Sequence, residues 1–175
     1  MSPTKRNPQS GEGLAAWLTL LQAQSVVVDA LEGELDMPLA WFEVLIQLTS
    51  APEGRLKMQE LAHSVLLSKS GVTRLVDRMV EAGLVTRAAC ETDRRVVYAA
   101  VSPEGRAALR TALPAHDEGL ERHFSSVLTA AELGMLRSTL GKILDAAGFV
   151  PAPCPTNLTA EPPPKSRSRA PAGAS

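Results

Sequence analysis

The chain has few aromatic residues, few cysteines and no surplus of positive charge. Aromatic side chains make up 3% of its 175 residues, so a core must consist mainly of Leu, Val and Ala, which favours helices packed on helices. Two cysteines, Cys90 and Cys154, are too few for a disulfide framework or a structural zinc site. The formal net charge of −1 excludes attraction of nucleic acid by a bulk positive field, so binding would need a local patch.

Long apolar runs and catalytic motifs are also lacking. No run of about 18 apolar residues is evident, and no apolar segment follows Lys5 and Arg6, so neither a membrane span nor a secretory signal is expected. No nucleophile–base spacing, phosphate loop or carboxylate pair suggests catalysis. His116 and His123 have no third ligand nearby to complete a metal site. We therefore expect a cytoplasmic protein that is not an enzyme and has no metal or cofactor.

Composition divides the chain into three parts. Residues 1–13 are polar and rich in Pro, Ser and Gly, which predicts a disordered arm. Residues 14–148 carry the helical patterns and predict one folded domain. Residues 149–175 contain seven prolines and the basic run 165–169, which predicts a disordered Pro-rich basic tail.

The segment 55–101 predicts a helix, a turn, a second helix and a two-stranded hairpin. The first helix spans 56–64. The second spans 69–82, with Ser68 as its N-cap and Gly83 at its end. The alternating and β-branched stretches 84–89 and 95–101 predict the strands. The fold class is therefore mainly α with a small β-hairpin wing, a winged helix-turn-helix.

Long helices flank this lobe. Apolar residues recur at helical spacing over 14–35, and a further helix runs from Pro38 to about residue 49. Over 102–148, Ser102 predicts a helix start and Thr129 with Glu132 predicts a capping box. The apolar surface of 14–35 and 102–148 exceeds what the lobe can cover, which predicts that they are dimerisation helices.

The second helix of the lobe carries a polar face of hydroxyls and cations. Hydroxyls and amides at a helix N-terminus suit phosphate oxygens, and arginine suits a guanine edge in the major groove. The hairpin adds further cations, and Asp93 is expected to fix the shape of its tip. The segment from Arg55 to Arg95 has eight Lys or Arg against five Asp or Glu, a net of +3. The predicted DNA-binding residues are Ser68, Lys69, Ser70, Thr73, Arg74, Arg78, Arg87, Arg94 and Arg95.

These residues resemble the MarR family of winged-helix regulators. The matching motifs, in order, lie at Ser68–Gly71, Leu75–Met79, Gly83–Val85, Asp93–Arg95 and Val101–Gly105, within a resemblance that spans about residues 14–148. It implies a homodimer that binds a pseudo-palindromic operator in double-stranded DNA, usually as a repressor. It also implies release by a small phenolic or aromatic ligand held between the dimer helices and the lobe.

Trp17 and Trp41 are candidates to line that ligand pocket, and His63 or Arg87 could meet a carboxylate, although core or surface positions explain each of these residues as well. Two alternatives stay open. Cys90, at the base of the wing near Arg87, could act as a thiol-based redox sensor. The winged helix could also be a protein-interaction module, which retention on duplex DNA would distinguish.

Overall fold

The helices and strands follow the predicted order, with one strand added. The computed structural model describes residues 9–65, 67–89 and 96–149. Short 3₁₀ turns lie at Pro52–Gly54 and Ser125–Val127. The elements are α1 (Gln9–Glu34), α2 (Leu39–Ser50), β1 (Arg55–Lys57), α3 (Met58–Ser64), α4 (Lys69–Glu81), β2 (Val85–Ala89), β3 (Val97–Val101), α5 (Pro103–His123) and α6 (Ala130–Ala146).

Helix α1 begins earlier than the sequence suggested. The disordered arm was predicted to continue to residue 13, but residues 9–13 are already helical, so that boundary was wrong. Gly11 and Gly13 led to the error, since each costs a helix only about 1 kcal/mol. Glu12 favours the helix because its carboxylate lies in the first turn, near the positive end of the helix dipole.

The core lies between α2, the lobe and the first half of α5. Helix α2 places Phe42, Leu45 and Leu48 in it with no exposed surface. Ile46 and Thr49 of the same helix are only half-buried. The rest of the core comes from the following elements, with Leu61 in α3, Val72, Val76 and Met79 in α4, Val85 in β2, Ala99 in β3 and Leu109 in α5.

The wing belongs to a three-stranded antiparallel sheet in the order β1-β3-β2, not to an isolated two-stranded hairpin. Strand β1 is the element that was missed. Its pairs with β3 include Arg55 with Ala100 and Lys57 with Tyr98. Three residues are too few to show a period of two, and the partner strand lies far along the chain. The same residues were therefore assigned to the start of α3, which instead begins at Met58.

The predicted caps of α5 and α6 are confirmed. The Ser102 hydroxyl accepts from the Gly105 N–H at 2.8 Å and donates to the Gly83 carbonyl at 2.7 Å. Thr129 and Glu132 form the capping box of α6. Helix α5 continues through Pro114.

A carboxylate joins α1 to the far end of α5. Glu34 Oε1 accepts from Arg122 Nη1 at 2.5 Å and lies 2.8 Å from His123 Nε2. The hydrogen bond with His123 is the largest influence on Glu34, and together with the charge of Arg122 it holds the pKa of that carboxyl below its usual 4.5. Gly119 permits the close packing, since a Cβ there would lie 2.5 Å from Glu34 Oε2.

Helices α1 and α6 leave large apolar side chains uncovered in the single chain. Trp17 is 55% exposed and Met135 is 70% exposed. Residues Gly11–Glu34 are long and apolar enough to cross a membrane by length and composition alone, so the expectation that no such stretch exists was wrong on that measure. That measure is a weak argument for a membrane span, because core helices of water-soluble proteins also meet it.

Candidate nucleic-acid interface

Helix α4 is strongly amphipathic, and this fixes which face it presents to solvent. Val72, Leu75, Val76 and Met79 are buried against the core. The Ser68 hydroxyl accepts from the Gly71 N–H at 3.1 Å and so caps the helix, as predicted. Gly83, with a φ of 74°, reverses the chain into β2, as the predicted helix end requires.

The exposed polar residues of α4 form two rows, each repeating every four residues. We call Ser70, Arg74 and Arg78 the outer row. We call Lys69, Thr73 and Asp77 the wing-side row, because the side chain of Arg87 in β2 reaches it. All six residues are exposed. The sequence predicted one continuous face, and the structure divides it by what each row contacts.

The outer row is free to bind a partner. Arg74 and Arg78 make no ion pair or hydrogen bond with the part of the chain that the structure describes. The Ser70 hydroxyl lies 3.2 Å from that of Ser68, at the helix N-terminus. Two guanidinium groups one turn apart, on a helix whose first turn carries two hydroxyls, can engage base-edge acceptors and anionic oxygens along one face.

Two residues of the wing-side row, Thr73 and Asp77, already have partners within the chain. Arg87 Nη2 lies 2.9 Å from Asp77 Oδ1 and donates to the Thr73 carbonyl at 3.2 Å. The Thr73 hydroxyl donates to the Lys69 carbonyl at 2.8 Å. Arg87 therefore ties β2 to α4, although the sequence placed it with the cations of the wing.

A groove of about 370 Å³ lies beside this row. Its lining includes three cationic side chains, from Lys57, Lys69 and Arg87. Its apolar side chains come from α3, α4 and the start of β3, namely Met58, Val72, Val96 and Val97. The combination can hold an anionic group above an apolar surface.

Comparison with known proteins identifies the family. A model described as the MarR family matches residues 35–96. The chain is 30% identical over 98 residues to the HTH-type transcriptional regulator MhqR of Bacillus subtilis. The matched region covers 55% of this chain and 67% of that protein. The chain belongs to the MarR family. It is therefore a winged-helix, DNA-binding transcriptional regulator, as the sequence predicted.

Two solved structures from Streptomyces coelicolor extend the likeness of this MarR-family protein over most of its length. AbsC, a MarR family transcriptional regulator, is 28% identical with a TM-score of 0.74 over 83% of this chain and 99% of that one. Sco3205, a MarR family transcriptional regulator in complex with DNA, is 26% identical with a TM-score of 0.69 over 84% and 91%.

Of the residues predicted to contact a ligand in this MarR-family chain, Arg87 lines the groove, and Trp17, Trp41 and His63 do not. Trp17 is exposed on α1, and Trp41 packs half-buried against the core. His63 is exposed on α3, and its ring lies 4.7 Å from that of Phe149. Phe149 was assigned to the disordered tail, but its N–H is held by the Leu144 carbonyl at the end of α6.

Several predicted site residues lie outside the described residues. These are Asp93, Arg94 and Arg95, which were predicted to lie at the wing tip, and Cys90, which was predicted to lie at its base. Their roles stay predictions. In the described ranges, no group of three or more His, Cys, Asp or Glu could hold a metal ion. Instead, His116 stacks on Phe42 with ring centroids 4.3 Å apart.

Lys57 is the groove residue that sequence analysis missed. It occupies the N-cap of α3, and its backbone N–H donates to Glu60 Oε2 at 3.1 Å. Its ammonium group lies 3.2 Å from Glu60 Oε1. The three-residue spacing of a cation and a carboxylate at a helix start was a usable signal. The sequence carried no signal for the proximity of Lys57 to Lys69, because that proximity depends on the packing of α3 against α4.

Proposed function

We propose that the protein is a homodimeric, sequence-specific repressor that a small aromatic ligand releases from a pseudo-palindromic operator. The observation that carries the DNA-binding part is the outer row of α4, where Arg74 and Arg78 are exposed and have no partner among the described residues, on a helix that Ser68 caps. An exposed helix that positions cations so close together suits the major groove, which admits one α-helix.

Each predicted contact residue except Arg87, whose contacts lie within the chain, has a task under this proposal. Arg74 and Arg78 read base edges, because a guanidinium matches the two acceptors of guanine. Ser68, Lys69, Ser70 and Thr73 surround the N-terminus of α4 and bind phosphate oxygens there. The wing cations Arg94 and Arg95 hold the DNA backbone or enter the minor groove, and so supply affinity and register.

The uncovered apolar surface supports the dimer. Large apolar side chains on α1, on the turn after α5 and on α6 are exposed in the single chain, and their burial is favourable by roughly 25 cal/mol for each Å² of apolar surface removed from water. The residues include Leu14, Trp17, Leu18, Val26, Val127, Met135 and Ile143. A second copy that covers these helices would place two α4 helices about one DNA turn apart, ~34 Å.

Release by a ligand follows from that spacing. A ligand that binds better to a dimer with the wrong spacing shifts the population away from DNA, by no more than its difference in affinity. An aromatic carboxylate suits the groove beside α4, because apolar side chains from Met58 and Val97 line it together with the cation of Lys69. This groove is a different place from the predicted site at Trp17, Trp41 and His63, since those residues do not line it.

Titration of DNA with two variants tests the DNA-binding mode. Arg74→Ala should weaken operator binding by about 1–3 kcal/mol and relax selectivity at one base position. Arg95→Ala should weaken binding to all sequences and reduce the salt slope by about 0.9 for each phosphate that the variant no longer neutralises. The probe is a duplex that the wild-type protein selects from a random library.

Arg110→Ala is the matched control, since it removes an exposed cation from α5 and leaves α4 and the wing intact. Its affinity should equal that of the wild type within error. Unchanged affinity in both Arg74→Ala and Arg95→Ala would contradict the groove assignment.

A further inference from the structure

Arg87 is engaged within the chain, although it lies on the wing. Its guanidinium reaches the wing-side row of α4 through an ion pair with Asp77 at 2.9 Å and a hydrogen bond to the Thr73 carbonyl at 3.2 Å. One side chain of β2 thus holds two successive turns of the helix that carries the outer row.

The strand geometry directs Arg87 to that place. Side chains alternate across a strand, so Arg87 shares a face with Val85, which is 1% exposed in the core. That face packs on α4. In the register of the sheet, Arg87 pairs with Ala99, whose small side chain is buried in the core. The arginine therefore projects along the α4 side of the wing and not away from it.

Charge balance favours the internal contact. The groove is lined by three cations, Lys57, Lys69 and Arg87. The carboxylate of Asp77 neutralises the charge of Arg87. A cation that served only to bind phosphate would gain nothing from an acidic partner on the recognition helix. Asp77 is also the only carboxylate in the first three turns of α4, from Lys69 to Arg78.

We propose that Arg87 and Asp77 are positioning residues that fix the rotation of α4 about its axis, and thereby determine operator selectivity through Arg74 and Arg78. The inference rests on the proposed function, since it assigns base reading to the outer row. Arg74 lies in the sequence between Thr73 and Asp77, the two residues of α4 that Arg87 contacts. Rotation of α4 about its axis would move the guanidinium groups of the outer row away from their base edges.

The test compares Asp77→Asn, Arg87→Gln and the double variant by titration with the selected duplex and a scrambled duplex. Both side chains are partly exposed, so each variant should fold, and the helical circular dichroism signal checks this. Each single change should lower the ratio of selected to scrambled affinity by about tenfold, the effect of removing one specific base interaction. The double variant should show no larger effect than either single, because both remove the same ion pair. The salt slope should stay that of the wild type.

Glu81→Gln is the matched control. It removes one exposed carboxylate from the same helix, and Glu81 makes no ion pair with any described residue. Its ratio of affinities should equal that of the wild type. If Arg87 instead binds a phosphate, Asp77→Asn will preserve or raise the ratio, and Arg87→Gln will reduce the salt slope by about 0.9. That result would overturn the positioning role.

Hydrogen exchange of the DNA-free protein separates this inference from the proposed function. Amides of α4 should exchange faster in Asp77→Asn and Arg87→Gln than in Glu81→Gln, because the two turns are no longer anchored. Equal exchange in all three would refute the anchor whatever the DNA result. A wild-type protein that does not distinguish the two duplexes would refute the proposed function, and the exchange result would still decide whether Arg87 anchors α4.

Discussion

Replacement of Ser68 by aspartate should stabilise the fold and weaken DNA binding at the same time. The Ser68 hydroxyl accepts from the Gly71 N–H at 3.1 Å, and the first turn of α4 contains no acidic residue. Aspartate at this position retains a capping oxygen and adds a negative charge at the positive end of the helix dipole. Alanine removes the cap and adds no charge.

The sizes of these effects predict the order of stability and of DNA affinity among the wild type, Ser68→Ala and Ser68→Asp. Loss of the cap in Ser68→Ala should cost about 1 kcal/mol of unfolding free energy. The added charge in Ser68→Asp should contribute about 0.3–1 kcal/mol, since the site is exposed. A carboxylate about 4 Å from a phosphate costs ~1 kcal/mol in water and ~4 kcal/mol at the effective dielectric constant of a protein surface. Stability should therefore rank Asp above Ser above Ala, and DNA affinity should rank Ser above Ala above Asp.

Urea unfolding and fluorescence-anisotropy titration at several salt concentrations measure the two rankings. Thr111→Glu serves as the control, because it adds one negative charge at an exposed position of α5. It should change DNA affinity far less than Ser68→Asp does. A Ser68→Asp protein that binds the selected duplex as tightly as the wild type would show that the N-terminus of α4 does not face phosphate.

Two further predictions concern stability. Ser102→Ala should lower the free energy of unfolding in urea by about 2–3 kcal/mol. The change removes a buried cap and leaves the Gly83 carbonyl and the Gly105 N–H without their partner. A loss below about 1 kcal/mol would contradict this reasoning. Glu34→Gln should reduce the loss of stability in acid. The interaction with His123 lowers the folded-state pKa of Glu34, so its contribution is complete above the usual value of 4.5 and is lost as pH falls through the folded pKa. Urea midpoints measured from pH 7 to pH 3 check this, and equal acid sensitivity in variant and wild type would refute it.

Local signals determined the parts of the fold that were predicted correctly. The apolar spacing of α4, its Ser68 cap and the turn at Gly83 lie within a few residues of one another, and all were confirmed. The caps at Ser102 and Thr129 were confirmed for the same reason. A cap depends on a side chain and an amide three residues apart, so the sequence alone specifies it.

Long-range pairing was not predictable in this way. Strand β1 exists because Arg55 to Lys57 meet β3 more than forty residues later. A strand of three residues is too short to show alternation, so pairing with β3 decides that these residues form a strand and not a helix. The start of α1 at Gln9 was also misplaced, since a few polar residues and glycines at a helix end do not show whether the helix continues through them.

The candidate site also has features that local sequence determines and features that only tertiary packing determines. The sequence by itself determined that α4 carries hydroxyls and cations opposite an apolar face, because helical periodicity separates the two sides of one segment. Only the tertiary structure decided that Arg74 and Arg78 remain free of partners among the described residues while Arg87 is tied to Asp77 and Thr73. That division depends on which face of β2 packs against α4, and the packing of two elements fixes distances between side chains that no local spacing contains.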